Sequence, residues 1–281
     1  MDRLQIIDST IITLFSNLIF KGVGRHSKTG KKKGGIKVLT VIHANEGVPS
    51  DIKFTSVATN DSFMLKPSNL NKGEIMDMDR AYVNYEKFEE LTRRGVIYVT
   101  KMKKSLKYTI NQDVMYQTVH GLMEVRLQHV TFSKQLKAGE NITHNARIIT
   151  YVDINKHKLI SLLTNDMDSD PNEIIDIYRK RWEIELLFKQ IKQNFPLKYF
   201  YGESANAIKI QIWVTLIANL LLMVMQRRLK RRWSFSGLAT MIRITLMYYV
   251  NFYSLFNNPE KEWEYILLSV EKSPPQLKLF H

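Results

Sequence analysis

The segment Tyr178–Asn194, YRKRWEIELLFKQIKQN, leaves the chain little conformational freedom. Ile177, Ile184, Phe188 and Ile191 recur at helical spacing, so the stretch reads as a long helix whose apolar stripe seats it on a core. Tyr178, Arg181, Glu185 and Lys192 fall within about 60° of one another, on the face beside that stripe, at about 100° per residue. Asp176 and Glu183 point away from it. A carboxylate is therefore held among cations at the edge of a packed surface. Geometry alone allows a second reading, a solvated polar face carrying i,i+4 pairs.

Upstream of this helix the periodicity is mainly that of strands. Leu4–Leu14 is β-branched and apolar with Asp8 in its middle, a costly place for a carboxylate unless it is paired or binds a metal. A cap or a turn with Ser9 is the plainer alternative. Ile36–His43 and Ile52–Ala58 predict two more strands, turned by Gly47 and Pro49 into an antiparallel meander with the first. Phe63–Leu70 predicts a short helix, Glu74–Asp79 a strand ending in acids, Tyr85–Arg94 a helix stopped by Gly95, and Val96–Met102 another strand. Three meandering strands followed by strand–helix–strand is a ribonuclease-H-like order, in which carboxylates on the first and fourth strands are neighbours. The expected fold class is α/β, a ribonuclease-H-like mixed sheet flanked by helices. Residues 103–164 run as short alternating segments (LKYTI, LQHVTF, RIITYV, KLISLL), a β-rich insertion before the last catalytic helix. Helical periodicity resumes at Asn172, giving helices over 172–194, 205–229 and 235–253 and a loose tail. The division expected is 1–102 and 169–227 for the two parts of a catalytic core, 103–168 for the insertion, and 228–281 for a C-terminal helical segment.

Charge narrows the partners. A net +14 and a pI near 9.7 favour a polyanion, most often nucleic acid. Cysteine is absent, which excludes disulfides, thiolate zinc sites and cysteine nucleophiles and suits a reducing cytoplasm. The start, MDRLQIIDST, lacks a signal-peptide layout. The apolar run Ile210–Met225 is short for a bilayer and carries Gln211 and Asn219, so a buried core helix is expected and no membrane partner. Lys21–Gly35 is glycine-rich and basic, and Lys31, Lys32 and Lys33 are candidate phosphate contacts. It is not a Walker A loop, because Lys32 stands where Ser or Thr is required. A solvated charged hairpin is the alternative.

Asp8, Asp79 and Glu185 then share a plausible centre. Carboxylates brought together repel unless cations neutralise them, and oxygen-only donors suit Mg2+ or Mn2+, with two ions able to act on a phosphodiester. Arg181 offers a fork and Lys192 a point charge to phosphate oxygens, and Tyr178 a ring and hydroxyl. The histidines include no pair at i,i+4 spacing, which argues against zinc.

The spacing Tyr178-x2-Arg181-x3-Glu185-x6-Lys192 matches the signature of DDE transposases of the insertion-sequence-four group. IIDSTII around Asp8, DRAYVNYEKFEEL from Asp79 and SLLTND before the helix resemble the same family, over roughly residues 4 to 227. The resemblance implies that Asp8, Asp79 and Glu185 are the metal-binding catalytic triad, and that Tyr178, Arg181 and Lys192 handle the terminal phosphate and DNA end. It implies double-stranded DNA as partner, hydrolysis through a hairpin on the transposon end, strand transfer into target DNA, and a homodimer on paired ends. Two departures stand out. Ala81 replaces a glycine common in relatives, and the first catalytic strand begins almost at Met1, where relatives carry an end-recognition region. A truncated transposase is thus expected. Its alternatives are a catalytically silent DNA-binding remnant and a stand-alone ribonuclease-H-like nuclease.

Overall fold

The computed structural model describes residues 3–14, 25–26, 32–117, 124–135, 141–153, 157–197, 199–246, 251–261, 264 and 268. Strand β1 (Leu4–Leu14) is as expected, and β2 (Arg25–His26) pairs antiparallel with the start of β3 (Lys32–His43). Lys32 and Lys33 therefore belong to a strand rather than to a loop, and Lys31 lies outside the described residues. Gly47, at φ +61°, makes the turn into β4 (Val48–Ser56), where Pro49 sits at a register shift opposite Ile42.

The helix expected over 63–70 is instead α1 (Asp61–Met64), capped by Asn60, and a separate 3-10 turn Pro67–Asn69. Pro67 forces the residue before it out of the helical region, and Lys66 is accordingly extended. Then come β5 (Ile75–Met78), a 3-10 turn Arg80–Tyr82, α2 (Tyr85–Arg93) and β6 (Ile97–Lys101). Gly95 at φ +70° turns the chain out of α2.

The β-rich stretch forms four strands, β7 (Thr109–Gln117), β8 (Glu124–Gln135), β9 (Asn141–Asp153) and β10 (Lys158–Thr164). They continue the same sheet through β10, which pairs with β6. The full order is β2-β3-β1-β5-β6-β10-β9-β8-β7, with β4 on β3. The β1–β5 and β5–β6 pairs are parallel and the others antiparallel. The first and fourth strands of the expected order are thus neighbours.

One sheet face packs on α2. Ile7, Leu39, Val41, Met76, Met78 and Tyr98 meet Phe88 and Leu91 in a single apolar cluster. Tyr98 shares a 2.7 Å hydrogen bond with His144 of β9, whose other ring nitrogen lies 3.0 Å from Glu89 of α2. Burial lowers the pKa of His144 against the pull of Glu89.

Beyond β10, the expected single helix is two, α3 (Pro171–Lys180) and α4 (Trp182–Asn194), separated at Arg181. Asp170 caps α3 and Pro171 fills its first position. The stripe expected from the sequence is buried: Ile177, Ile184, Phe188 and Ile191 are at most 9% exposed. Helix α5 (Ala205–Arg228) corrects an expectation. Only 33% of its most apolar window is buried, and Trp213, Val214, Ile217, Leu221 and Val224 are exposed. By length and composition it could cross a bilayer, while its opposite side carries Asn219, 1% exposed and bonded to Gln190 at 2.8 Å. The helix expected over 235–253 is α6 (Phe235–Thr245) and α7 (Phe252–Asn257), because Asn251 caps a new start. The C-terminal tail lies outside the described residues apart from isolated positions. Two compact units result, Met1–Lys189 with Lys198–Lys209, and Gln190–Leu197 with Ile210–His281.

The loop between β10 and α3 is fixed by side chains. Asn165 accepts from the backbone N–H of Tyr98 and donates to Val96 carbonyl and Thr92 hydroxyl, each at 2.9 Å. Asp166 accepts from the N–H groups of Asp168 and Ser169, and Arg147 donates to Ser169 carbonyl at 2.6 Å. Removing Asn165 leaves backbone groups at the head of β6 unpaired. Asn165→Ala is expected to cost about 2–3 kcal/mol in urea denaturation, and a cost below about 0.5 kcal/mol would show that the loop does not depend on it.

Candidate active site

Asp8 and Asp79 are brought together by sheet register. β1 and β5 pair in parallel with Ile6 opposite Asp77 and Ile7 opposite Met78, so each acid lies one residue beyond the last pair. Thr40 faces Asp8 across the β1–β3 pair. Asp79 ends β5 and caps the turn Arg80–Tyr82, its carboxylate accepting from the N–H of Ala81 at 3.3 Å.

Arg181 joins the third acid to the first. Its guanidinium makes a 2.7 Å ion pair with Glu185, one turn along, and lies 3.7 Å from the Asp8 carboxylate. The break between α3 and α4 falls at this residue, whose N–H turns back to the Tyr178 carbonyl at 3.3 Å. The same guanidinium stands 5.5 Å from the centre of the Tyr178 ring. Burial pushes the Tyr178 hydroxyl pKa up, opposed by Arg181.

The electrostatics fit crowded acids. Burial raises the Asp8 pKa to about 6; the Ser9 N–H and Arg181 oppose the rise, and the charges of Asp79 and Glu185 add to it. The charges of the other two acids are thus felt at Asp8. Among the described residues, however, no three His, Asp or Glu side chains gather into a ligand cage, and Glu185 is met by Arg181 instead. The donors are all hard oxygens, the chemistry that Mg2+ or Mn2+ prefers.

Lys192 continues α4 two turns beyond Glu185 and is exposed, with its pKa lowered by partial desolvation. Lys32 and Lys33 lie on β3.

Several polar groups of this region are not anticipated by the motifs. Asp77 is 0% exposed, neither carboxylate oxygen has a hydrogen-bond partner, and burial raises its pKa well above the usual range against the pull of Arg181. Thr40 and Tyr82 hydroxyls and the Arg181 Nε are also buried without partners. Burial, with Asp8 and Asp61 nearby, raises the Tyr82 pKa. On the other side of β1, Ser9 donates to Asp61 at 2.8 Å and Lys37, 6% exposed, pairs with Asp61 at 3.1 Å. The acid pair was visible in EIMDMD, since residues two apart on a strand share a face.

The raised Asp8 pKa makes a stability prediction. A carboxyl whose folded pKa exceeds its unfolded value stabilises fully below the unfolded pKa, and that contribution is lost as pH rises through the folded one. For Asp8 the window runs from the ordinary 3.8 to about 6. Asp8→Asn is therefore expected to gain stability over the wild type between pH 4 and pH 7, by about 3 kcal/mol at most. Urea denaturation in chelator at the two pH values reads the difference, and a pH-independent difference would contradict the burial argument.

Residues 1–221 match the family model described as "Transposase DDE domain". The putative transposase y4zB of Sinorhizobium fredii is 26% identical over 224 residues, 80% of this chain and 61% of the relative. The putative transposase for insertion sequence element IS4SA of Synechocystis is 26% identical over 223 residues, 77% of this chain and 58% of the relative. The probable transposase for insertion sequence element IS5377 of Geobacillus stearothermophilus is 22% identical over 220 residues, 78% and 55% of the two chains. The chain thus spans little more than half the length of these relatives. A cryo-EM structure of piggyBac transposase in a synaptic complex with hairpin DNA shares the fold, with a TM-score of 0.52 at 8% identity over 98% of this chain and 58% of that one. The chain belongs to the transposase DDE domain family.

Proposed function

We propose that this chain is the catalytic domain of a DNA transposase of the insertion-sequence-four group. It cleaves phosphodiester bonds at transposon ends, through a DNA hairpin, and transfers the strand into target DNA. The observation that carries the reading is Asp8, whose carboxyl is raised by burial and by the charges of Asp79 and Glu185. Acids whose charges reach a partly buried carboxyl destabilise the fold by themselves, and a cationic ligand would account for them.

Asp8, Asp79 and Glu185 would hold Mg2+ or Mn2+, two ions in the complete site. Such ions supply a nucleophilic oxygen at neutral pH and stabilise the leaving one. The chain's own residues orient the DNA. Arg181 is a rigid fork for phosphate oxygens, Tyr178 offers a ring beside it, and Lys192 and Lys31 to Lys33 add charge along the backbone. Double-stranded DNA is the partner, engaged by a homodimer on paired ends. The absence of cysteine fits a reducing cytoplasm. In this reading 103–168 is an insertion into a core made of 1–102 and 169–227, followed by the C-terminal segment 228–281.

One observation favours a second reading, a DNA-binding chain without chemistry: the three acids do not form a cage among the described residues, and Arg181 occupies Glu185. Nicking of supercoiled plasmid separates the two. Loss of an outer-shell partner costs about 10–100-fold in a metal site, so Glu185→Gln, which removes a direct ligand, is expected to lower Mg2+- or Mn2+-dependent nicking by roughly a hundredfold or more. Equal nicking by wild type and variant would remove Glu185 from the mechanism. Joining of a pre-cut 3′ end to a second duplex then distinguishes a transposase from a nuclease.

A further inference from the structure

The second compact unit carries a basic turn that the catalytic reading does not use. Helix α5 ends in Arg227 and Arg228, and Lys230, Arg231 and Arg232 follow at once. No Asp or Glu occurs between Glu203 and Glu260. Arg228, Lys230 and Arg232 are exposed and have no carboxylate partner among the described residues.

The turn is also built to keep its shape. Leu229, 9% exposed, packs with Leu238, Leu255 and Phe256, and Trp233 rests on the same cluster. Asn257 accepts from the backbone N–H groups of Lys230 and Arg231, at 2.8 and 3.4 Å. Gln226 donates to the Trp233 carbonyl at 2.7 Å, and the Trp233 indole donates to the Phe256 carbonyl at 2.8 Å. Arg231 pairs with Glu260 at 2.7 Å and lies 5.6 Å from the Trp233 ring centre, so this one cation is spent on holding the turn. Like charges clustered on a mobile loop can spread apart. Here the backbone is tied on both sides, and the repulsion among Arg228, Lys230 and Arg232 persists until an anion relieves it.

We propose that the turn 227–232 is a phosphate-backbone contact for double-stranded DNA, independent of sequence. Arginine predominates, which suits two-pronged bonds to phosphate oxygens, and a fixed turn loses little conformational entropy on binding. The choice of DNA as the polyanion rests on the transposase reading.

The test measures affinity of the full chain for a short random-sequence duplex across a KCl series, in chelator so that no cleavage occurs. The triple variant Arg228→Gln/Lys230→Gln/Arg232→Gln is expected to flatten the plot of log affinity against log salt by about 3, at about 0.9 per phosphate contact. Arg228→Lys/Arg232→Lys should keep the wild-type slope. Lys230→Gln alone should lower it by about 1, which keeps the test open should the triple variant misfold. An unchanged slope in a folded triple variant overturns the proposal. So does loss of binding to phosphatidylserine vesicles with the duplex slope intact, which would assign the turn to a membrane surface. Plasmid nicking by the wild type is measured alongside. Full duplex slope without nicking would sink the transposase reading and leave the turn standing; nicking with an unaltered triple-variant slope would sink the turn alone.

Discussion

Carboxylates side by side across adjacent parallel strands repel each other, and the pairing of β1 with β5 brings Asp8 and Asp79 to that position. Glu185 adds a third negative charge from a helix that must lie on the same face to bury its apolar stripe. Sheet register and helix packing, both driven by apolar burial, therefore force together groups that electrostatics would separate. Arg181 is the compensation within the chain. It sits between Glu185 and Asp8, at 2.7 and 3.7 Å, and limits the rise of the Asp8 pKa. One guanidinium cannot balance three carboxylates, and the remaining imbalance is what gives the site its affinity for further cations in the proposed mechanism.

The sheet divides labour between its faces. On the α2 side, apolar side chains from β1, β3, β5 and β6 close over Phe88 and Leu91, and a hydrogen bond joins the buried Tyr98 hydroxyl to His144. On the other side, Asp77 lies without partners one step along β5 from Asp79, and Thr40 likewise opposite Asp8. Buried polar groups without partners cost stability, and Asp77 and Thr40, beside the acids, mark one place where the fold gives it up. Asp77 also explains why the Arg181 position tolerates partial burial, since a second acid lies within its field.

Much of this was legible in the sequence because it rested on short-range rules. Period-two runs gave β1, β3, β5 and β6, and the meander followed by strand–helix–strand put Asp8 beside Asp79. What failed depended on tertiary context. The interruption at Arg181 leaves its backbone helical, at φ −53° and ψ −26°, so no residue type betrays it. Helix α5 is apolar on all sides, which gives no hint of which side stays exposed. The split between α6 and α7 could have been found, since Asn251 is a good N-cap residue ahead of an apolar run. For Asp77 the alternation of EIMDMD gave the face, but its burial among apolar neighbours follows from strand partners, Ile6 and Val99, whose side chains carry no donor.

In the proposed mechanism Asp8, Asp79 and Glu185 form one divalent-cation site whose charge Arg181 partly balances. Binding of Mn2+ followed by electron paramagnetic resonance tests it without any DNA or turnover. Binding by the wild type at neutral pH, weakened on the order of tenfold or more by Asp79→Asn and by Glu185→Gln separately, is the predicted result. Equal Mn2+ affinity in the wild type and both variants would contradict it.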